Sequence, residues 1–314
     1  MSKMRMFSDI FDNDMRFLKD RISKPKSQSE ICGVDDETRP FICAIEEAPK
    51  FQTTNRYITG GYRTWKSRES CIKGILQWTN ETINIWSHLG PFIALLFRYA
   101  QDILHNFDEA NFEPFDKKLC SLMILAYVTM FGLSSIYHVF NCCCCDCYRY
   151  WYGWDFIGIC GSIYAYGTGF LFLQFRDAPH WIPLYAAIKT IILAVPIIML
   201  FHEEYRDEKY DDHRAVGLGV FVVFNTIPTV HSIVLRGGLD SPVVRATLPT
   251  HLLCVALLVG SFIVYACQFP ERFLPGRVNY IGNSHQIWHI GTATAVFHAR
   301  HLYFQYVRAL SGLT

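Results

Sequence analysis

Long apolar runs alternate with short polar stretches over most of this chain. The runs lie at about 83–103, 119–140, 153–175, 181–201, 215–235, 247–267 and 284–307. Each approaches the roughly 20 residues that an α-helix needs to cross the hydrocarbon core of a bilayer. The connections between the runs are short and leave no room for a second folded domain. The pattern therefore predicts an all-α, polytopic membrane protein whose seven transmembrane helices form one membrane domain, residues 83–314.

The residues before the first apolar run divide into two parts. Residues 1–55 are polar, mixed in charge and without sustained periodicity, which predicts a largely flexible tail. Residues 56–82 form a juxtamembrane region. Within it, the stretch from Thr64 to Trp78 places apolar residues on one helical face and lysines on the other, which predicts a short helix lying in the membrane interface.

The composition agrees with a membrane protein. Of the 314 residues, 51% are hydrophobic and 18% are charged, which is too apolar for an ordinary soluble domain of this length. A net charge of +1 gives no basis for a nucleic-acid partner. Residues 1–20 include acidic residues and lack the apolar segment of a signal peptide, so we expect the first spanning helix to act as the targeting signal.

Basic residues near the ends of the apolar runs predict the orientation. Loops on the cytosolic side of a membrane are enriched in Lys and Arg. Here such residues concentrate before the first run, between the fourth and fifth, and between the sixth and seventh. They are Arg56, Arg63, Lys66, Arg68, Lys73, Arg206, Lys209, Arg214, Arg272 and Arg277. We therefore expect a cytosolic amino terminus and a carboxyl terminus that lies outside the cell or in a lumen.

Ionisable residues stand at the edges of the second, third and seventh runs. His138 closes the second run, Asp155 opens the third, and His285 and His289 lie one helical turn apart at the start of the seventh. With a cytosolic amino terminus, all four fall at the cytosolic end of the bundle. Because ionisable residues inside membrane segments are expensive, they are functional candidates.

The three histidines predict a zinc site formed by His138, His285 and His289. Three imidazoles that leave one coordination position open are typical of catalytic zinc, where water or substrate takes that position. Asp155 would position the water or accept its proton, and Ser134, one turn before His138, would add a hydrogen bond. The alternative is that these histidines only bridge helices through hydrogen bonds, as buried polar residues in bundles often do.

A run of cysteines follows the second predicted helix. Five of the twelve cysteines lie between Cys142 and Cys147. Cysteines next to a spanning helix are candidates for palmitoylation. A structural role and a thiolate metal cluster are alternatives, and the cluster is disfavoured because adjacent cysteines cannot all face one tetrahedral ion.

Several motifs resemble those of the progestin and adipoQ receptor family. They are Asn80-Glu81-Thr82 with Asn84-Ile85-Trp86-Ser87-His88, then Ser134-x-x-x-His138, Asp155, and Ser284-His285-Gln286-Ile287-Trp288-His289. The resemblance covers residues from about 57 to 307. It implies a seven-helix protein with a cytosolic amino terminus and an intramembrane zinc site. Matched position by position, it implies that His138, His285 and His289 are the ligands and that Asp155 positions a water molecule.

The resemblance implies two different functions. Pro270-Glu271-Arg272 and Asn279-Tyr280 look most like the Golgi member of the family, which implies a receptor-like signalling regulator that tethers a Raf-type kinase through its cytosolic amino-terminal region. Adiponectin receptors of the family are linked to ceramide hydrolysis, which implies a zinc hydrolase of a lipid amide. The Golgi membrane is the expected location, with the plasma membrane or another endomembrane as alternatives.

Overall fold

The computed structural model describes residues 41–64, 67–202, 205 and 210–312. Within these residues the chain is mostly helical, and its only sheet has two antiparallel strands. Most of the predicted tail, residues 1–40, lies outside the described residues, as do Trp65 and Lys66 of the predicted interfacial helix.

Two strands and a short helix precede the bundle: β1 (Ile42–Ala44), β2 (Gly60–Arg63) and α1 (Arg68–Lys73). The bundle consists of α2 (Thr82–Gln101), α3 (Pro114–Phe140), α4 (Cys145–Gln174), α5 (Ile182–Phe201), α6 (Asp211–Phe224), α7 (Thr226–Leu235), α8 (Pro242–Ala266) and α9 (Ser284–Leu310). Shorter helical turns lie at Lys50–Gln52, Gly74–Leu76, Asp102–Asn106, Phe107–Glu109, Pro179–Trp181 and Gly238–Asp240. Helices α6 and α7 follow one path that is interrupted at Asn225.

Five helical segments of the described chain are long and apolar enough to cross a membrane. They are Pro114–Phe140, Cys145–Gln174, Pro179–Phe201, His213–Leu235 and Pro242–Ala266. Helices α2 and α9 belong to the same bundle but are more polar. The predicted helical class is therefore confirmed, and five of the predicted runs form helices with the length and composition of membrane spans, whereas the count of seven crossings and the cytosolic amino terminus stay predictions.

Polar contacts join α2 to α9 near both of their ends. Asp102, immediately after α2, is fully buried and accepts a hydrogen bond from Nε of Arg300 in α9 at 2.7 Å. At the opposite end, Ser87 Oγ lies 2.9 Å from Nδ1 of His289. Polar residues within the helices, such as Ser87 and His88 in α2 and His289 and Arg300 in α9, make both less apolar than the five segments above, so apolarity alone does not single them out as spans.

The largest buried cluster lies where α3, α4 and α9 pack together. It includes Tyr127 and Phe131 of α3, Phe170 of α4, and Leu302 and Tyr303 of α9. Helix α9 also packs along α8 and α2, and α3 packs along α2. The three helices that carry the predicted site residues are therefore fixed against one another by the core.

The described residues of 41–81, which we call the amino-terminal cover, pack on one end of the bundle, which we call the covered end. Strands β1 and β2 pair with Ile42 opposite Arg63. Phe51 of the cover is buried, and its ring lies 5.4 Å from that of Tyr148 in the first turns of α4. The cover thus rests on the same end of α4 as the cysteine-rich turn.

The loop between α8 and α9 holds the cover from the other side. The buried carboxylate of Glu271 accepts hydrogen bonds from Nδ2 of Asn55 at 3.0 Å and from the backbone N–H of Ser284, the first residue of α9, at 2.8 Å. The backbone N–H of Thr59 donates to Oδ1 of Asn279 at 2.9 Å. Because one carboxylate ties both the cover and the start of α9, the two are positioned together.

Local boundaries differ from the sequence expectations, and three of these differences lie at the covered end. Residues 41–55, expected within the flexible tail, contain β1 and a 3₁₀ turn at Lys50–Gln52. In the predicted interfacial region, the helix is short: α1 is followed directly by the 3₁₀ turn Gly74–Leu76. Helix α4 begins at Cys145 rather than near residue 153, because the Cys144 sulfur accepts a hydrogen bond from the Cys147 N–H and caps it. The domain boundaries themselves stay predictions.

Candidate metal centre

The three predicted ligands all lie at the covered end. His138 is in the last turn of α3, and His285 and His289 are in the first two turns of α9. Helix α9 starts here because the Asn283 side chain accepts a hydrogen bond from the Gln286 N–H at 3.1 Å and caps the helix. The four-residue spacing then sets both imidazoles on one face.

The three imidazoles converge. Within the described residues, one ligand nitrogen from each of His138, His285 and His289 lies within 4.8 Å of the other two. The Nε2 atoms of His138 and His285 are 3.3 Å apart, and the His289 ring centroid lies 4.8 Å from that of His138. Two nitrogens bound to one tetrahedral zinc at roughly 2.0–2.1 Å would lie about 3.3 Å apart. The observed spacing therefore fits a shared metal ion.

The carboxylate of Glu81, immediately before α2, orients His138. Its Oε2 lies 2.7 Å from Nδ1 of His138, and its Oε1 accepts a hydrogen bond from Nδ2 of Asn141 at 3.0 Å. Burial opposes ionisation of Glu81, but His138 and the Arg63 guanidinium outweigh it and hold the pKa of this carboxyl well below its usual range. An ionised Glu81 accepts the Nδ1 hydrogen, which leaves Nε2 of His138 as the ligand atom.

Sequence reasoning missed this role of Glu81. Its partner His138 lies 57 positions further along the chain, so no local periodicity connects the two residues. The available signal was an acid immediately before the first spanning helix, at the membrane depth predicted for the histidines. Arg63, read from sequence only as a topology signal, donates to the His138 carbonyl and to Oδ1 of Asn141 at 2.7 Å.

Helix α2 orients His289. Its Nδ1 lies 2.9 Å from Ser87 Oγ and 3.2 Å from the Asn84 carbonyl oxygen. A hydrogen on Nδ1 can be donated to these oxygens, which leaves Nε2 to face the centre. The ring of His88 stacks on that of His289 at 3.7 Å between centroids. His88 is buried but is not part of the ligand group, and its ring packs against the face of the His289 ring.

Asp155 and Ser134 lie beside the histidines. Asp155 of α4 is buried, interacts electrostatically with His138 and is hydrogen-bonded by Ser134 of α3. Its Oδ1 atom has no hydrogen-bond partner among the described residues. An unpartnered buried carboxylate oxygen is costly, so this atom is a candidate contact for water or substrate. The structure brings both residues to the centre, and their catalytic roles stay predictions.

The donor set suits a borderline divalent metal. Imidazole nitrogen is a common ligand of zinc, copper, iron and nickel. For His138 and His289 the remote Nδ1 meets an oxygen atom, an arrangement that fixes the tautomer and the direction of the ring. The three residues can therefore hold one metal ion and leave at least one coordination position for another group.

An apolar cavity of about 80 Å³ lies deeper in the bundle. Its lining includes Ile159 of α4 and Thr292 of α9. Ile159 is one helical turn beyond Asp155, and Thr292 is less than one turn beyond His289. The cavity therefore comes within about one helical turn of Asp155 and His289.

The cysteine run also lies at the covered end. Cys142 and Cys145 are buried, Cys143 and Cys147 are half-buried, and Cys144 is exposed. Of these, Cys144 is best placed for the predicted palmitoylation, which stays a prediction. In the part of the chain that is described, the histidine trio is the only group of three potential metal ligands, so no thiolate cluster is found.

Known proteins are similar to most of this chain. The family model described as Haemolysin-III related matches residues 76–299. Human progestin and adipoQ receptor family member 3 is 32% identical over 249 residues, which cover 78% of this chain and 79% of the relative. Heptahelical transmembrane protein 1 of Arabidopsis thaliana is 30% identical over 254 residues, covering 78% and 74%. The adiponectin receptor protein of Drosophila melanogaster is 26% identical over 262 residues, covering 82% and 57%.

The matched range contains His138, Asp155, His285 and His289, and it includes all five apolar helices. The resemblance inferred from the sequence motifs is therefore confirmed. The chain is an integral membrane protein that belongs to the haemolysin-III-related family of progestin and adipoQ receptors and adiponectin receptor-like proteins.

Proposed function

We propose that this protein is a zinc-containing, receptor-like signalling regulator of the Golgi membrane. The observation that carries the proposal is the convergence of His138, His285 and His289 in a chain that belongs to a family of membrane receptors. Zinc is favoured because oriented imidazoles are among its usual ligands. Ligation by these residues would join α3 to α9, and so stabilise or switch the packing at the covered end.

The proposed topology has seven crossings and a cytosolic amino terminus. Helices α2 and α9 supply the two crossings beyond the five apolar segments. Basic residues near the covered end include Arg56, Lys73, Arg272 and Arg277. Because Lys and Arg mark cytosolic loops, the covered end and the candidate metal centre would face the cytosol.

The amino-terminal region is the proposed attachment for a Raf-type kinase. The support is the resemblance of Pro270-Glu271-Arg272 and Asn279-Tyr280 to the Golgi member of the family, together with a polar segment ahead of the cover. Kinase capture by full-length protein in vesicles can be compared with capture by a chain that lacks residues 1–40. We expect the deletion to abolish capture, and equal capture by both chains would remove the tethering proposal.

Metal analysis tests the centre itself. Elemental mass spectrometry of purified protein should find about one zinc ion per chain in the wild type and a large loss in His285→Ala. His251→Ala is the matched control, because His251 is another buried histidine that lies in α8 and contacts the Tyr166 hydroxyl at 3.3 Å. Stoichiometric zinc in His285→Ala would refute the site.

Asp155 and the adjoining cavity favour a second candidate function, hydrolysis of a lipid amide such as ceramide. Zinc, when bound, would lower the pKa of a bound water molecule towards about 7, and it would also polarise a carbonyl oxygen. Asp155, with its unpartnered Oδ1, would accept a proton from the attacking water and return it to the leaving amine. Ser134 would hold the carboxylate in place, and the apolar cavity would accept part of an acyl chain.

Asp155→Asn separates the two candidate functions. The substitution keeps the size of the side chain but removes the proton acceptor, so a hydrolase should lose ceramide turnover while retaining its zinc. Activity must be compared with His138→Ala, which is expected to lose both. If the wild type turns over ceramide no faster than His138→Ala, the hydrolase candidate is wrong and the regulatory function remains.

A further inference from the structure

Two buried thiols meet between the cover and the bundle. Cys71 of α1 and Cys142, in the turn between α3 and α4, are 0% and 3% exposed, and their sulfur atoms are 3.6 Å apart. They share a small apolar cluster with Ile85 and Val139. This contact joins segments that are 71 positions apart, and neither residue takes part in the candidate metal centre.

The two sulfur atoms are near enough to bond after a small shift. A disulfide has a sulfur–sulfur distance of about 2.0 Å, so the two atoms need to approach by roughly 1.5 Å. Both cysteines lie in short elements, α1 and a turn, which can shift more readily than the long helices. The hydrogen bond with Cys71 lowers the pKa of Cys142 to about 7, with help from the nearby Arg63 guanidinium and against the effect of burial.

A path of neighbouring thiols connects this buried pair to the surface. Cys144 is exposed, and its sulfur accepts a hydrogen bond from the backbone N–H of Cys147 at 3.2 Å. Cys143 hydrogen-bonds through its side chain with both Cys147 and Cys71. Neighbouring thiols therefore lead from the surface to the buried pair in the order Cys144, Cys147, Cys143, Cys71 and Cys142.

We propose that Cys71 and Cys142 form a reversible disulfide by exchange with a low-molecular-weight disulfide such as glutathione disulfide. A metal ion is a weaker alternative, because no three of the described thiols form a ligand group. Acylation of Cys142 is also disfavoured, since the thiol is buried beneath the cover. The proposal is independent of the proposed function.

Exchange along the path balances. The Cys144 thiolate attacks glutathione disulfide and releases one glutathione thiolate, and attack by Cys147 on Cys144 releases the second. Cys143 then attacks Cys147, Cys71 attacks Cys143, and Cys142 attacks Cys71, each step freeing the previous thiol. Overall, two protein thiols are oxidised, one glutathione disulfide is reduced, and two glutathione thiols are formed with the two protons released.

The bond would fasten the cover to the metal centre. Cys142 follows Asn141, whose side chain contacts both Glu81 and Arg63. Glu81 in turn orients His138. A covalent link at this point would hold α1 against the end of α3 that carries the ligand.

Non-reducing peptide mapping tests the proposal on the full-length protein. The protein is incubated at increasing ratios of oxidised to reduced glutathione, blocked with an alkylating agent, and digested with trypsin. We expect residues 69–73 to appear covalently linked to residues 119–149, in a yield that rises with the ratio and disappears on addition of dithiothreitol. Because residues 119–149 contain several cysteines, fragment ions between Cys142 and Cys143 assign the bonded sulfur.

Single substitutions test the buried pair, Cys71 and Cys142, separately from the surface thiol at which the path begins. Cys71→Ser should remove the linked peptide, whereas Cys254→Ser, which replaces a buried thiol within the bundle, should leave its yield unchanged. Cys144→Ser should slow formation several-fold without lowering the final yield. The proposal is overturned if the wild type carries glutathione on Cys144 but gives no linked peptide, or if the bond maps to Cys143. The wild-type map decides even where Cys71→Ser does not fold.

Discussion

Two of the three candidate ligand histidines contact an oxygen atom through Nδ1. One of these oxygens belongs to a charged group and the other to a neutral one. Nδ1 of His138 faces the Glu81 carboxylate at 2.7 Å, and Nδ1 of His289 faces the Ser87 hydroxyl at 2.9 Å. Hydrogen bonds to ionised groups are roughly twice as strong as those between neutral groups. The charged partner should therefore contribute more to metal affinity than the neutral one.

Glu81→Gln tests how much the charge contributes at the contact between Glu81 Oε2 and His138 Nδ1. The amide keeps the side-chain shape but loses the charge that favours a hydrogen on Nδ1 of His138. We expect zinc affinity to fall about 10- to 100-fold, as found for other partners of ligand histidines. Titration against a chelator of known affinity measures the change.

The controls for Glu81→Gln come from the same part of the chain. Glu69→Gln alters an exposed acid of α1 that pairs with Lys73 at 2.7 Å, so zinc affinity should stay unchanged. Ser87→Ala should cost less than Glu81→Gln, because the Asn84 carbonyl still faces Nδ1 of His289. A smaller loss for Glu81→Gln than for Ser87→Ala would contradict the argument from charge.

At the residue scale, sequence predicts groups that are periodic and misses groups that meet only through the fold. The i,i+4 spacing places His285 and His289 together, and the topology argument adds His138 and Asp155 at one end of the bundle. Glu81 and Cys71 carry no such pattern. Their partners lie 57 and 71 positions away, so only the packed structure reveals them.

At the scale of helices, a glycine determines how α4 meets the break between α6 and α7. A Cβ atom at Gly167 would lie 1.8 Å from Oδ1 of Asn225, the residue at the break. Asn225 Nδ2 donates to the Phe221 carbonyl at 2.8 Å and so is held in place. Close approach of α4 to this point therefore requires the absence of a side chain.

Gly167→Ala should destabilise this packing. The added methyl group displaces Asn225 or separates the helices, and overpacking of this kind typically costs about 1–3 kcal/mol. Gly161→Ala, in the same helix, is the matched control because its Cβ would meet no atom within 4 Å. Thermal unfolding of both variants in detergent should show a lower Tm for Gly167→Ala alone, and equal values would mean that the contact is not tight.

The ion pair between the end of α2 and α9 gives a second prediction at this scale. Arg300→Met leaves the fully buried Asp102 without its charged partner, and loss of one member of a buried pair typically costs about 3–5 kcal/mol. Adding Asp102→Asn should restore part of the loss. Lys117→Met, which breaks an exposed pair with Asp108, should change stability by less than about 1 kcal/mol.

Denaturation in detergent distinguishes these cases. The ion-pair argument requires Arg300→Met to be the least stable variant and the double variant to be more stable than it. If the double variant is as unstable as Arg300→Met, the lost contacts of the arginine side chain, including its position 4.5 Å from the Phe304 ring, account for the effect instead.

Helices were predictable from sequence wherever an apolar run had the length of a bilayer, because such a run specifies the type of element and its approximate position but not its exact ends. The amino-terminal cover was not predictable in this way. Its strands have three and four residues, too few to show a period of two, and they are held by contacts with Glu271 and Asn279 from far along the chain. Helix α4 starts early for a similar reason, since its first turns pack against Phe51.

At the scale of the whole molecule, the polar helices α2 and α9 decide the topology. If both cross the membrane with the five apolar helices, the number of crossings is odd and the two termini lie on opposite sides. Their mutual contacts through Asp102 with Arg300 and through Ser87 with His289 allow polar groups to be satisfied inside the bundle. Burial of these groups thus removes the main objection to two such polar crossings.

Protease protection of terminal tags in sealed membrane vesicles measures the orientation and whether the number of crossings is odd or even. A tag on the amino terminus should be digested in intact vesicles, because the basic residues around the covered end favour the cytosol. A tag on the carboxyl terminus should survive until detergent opens the membrane. Digestion of both tags in intact vesicles would show an even number of crossings. Protection of the amino-terminal tag alone would show the opposite orientation. Only the reversed orientation would move the candidate metal centre away from the cytosol, because His138, His285 and His289 lie beneath the cover that follows the amino terminus. Digestion of both tags would leave the centre facing the cytosol and would refute seven crossings.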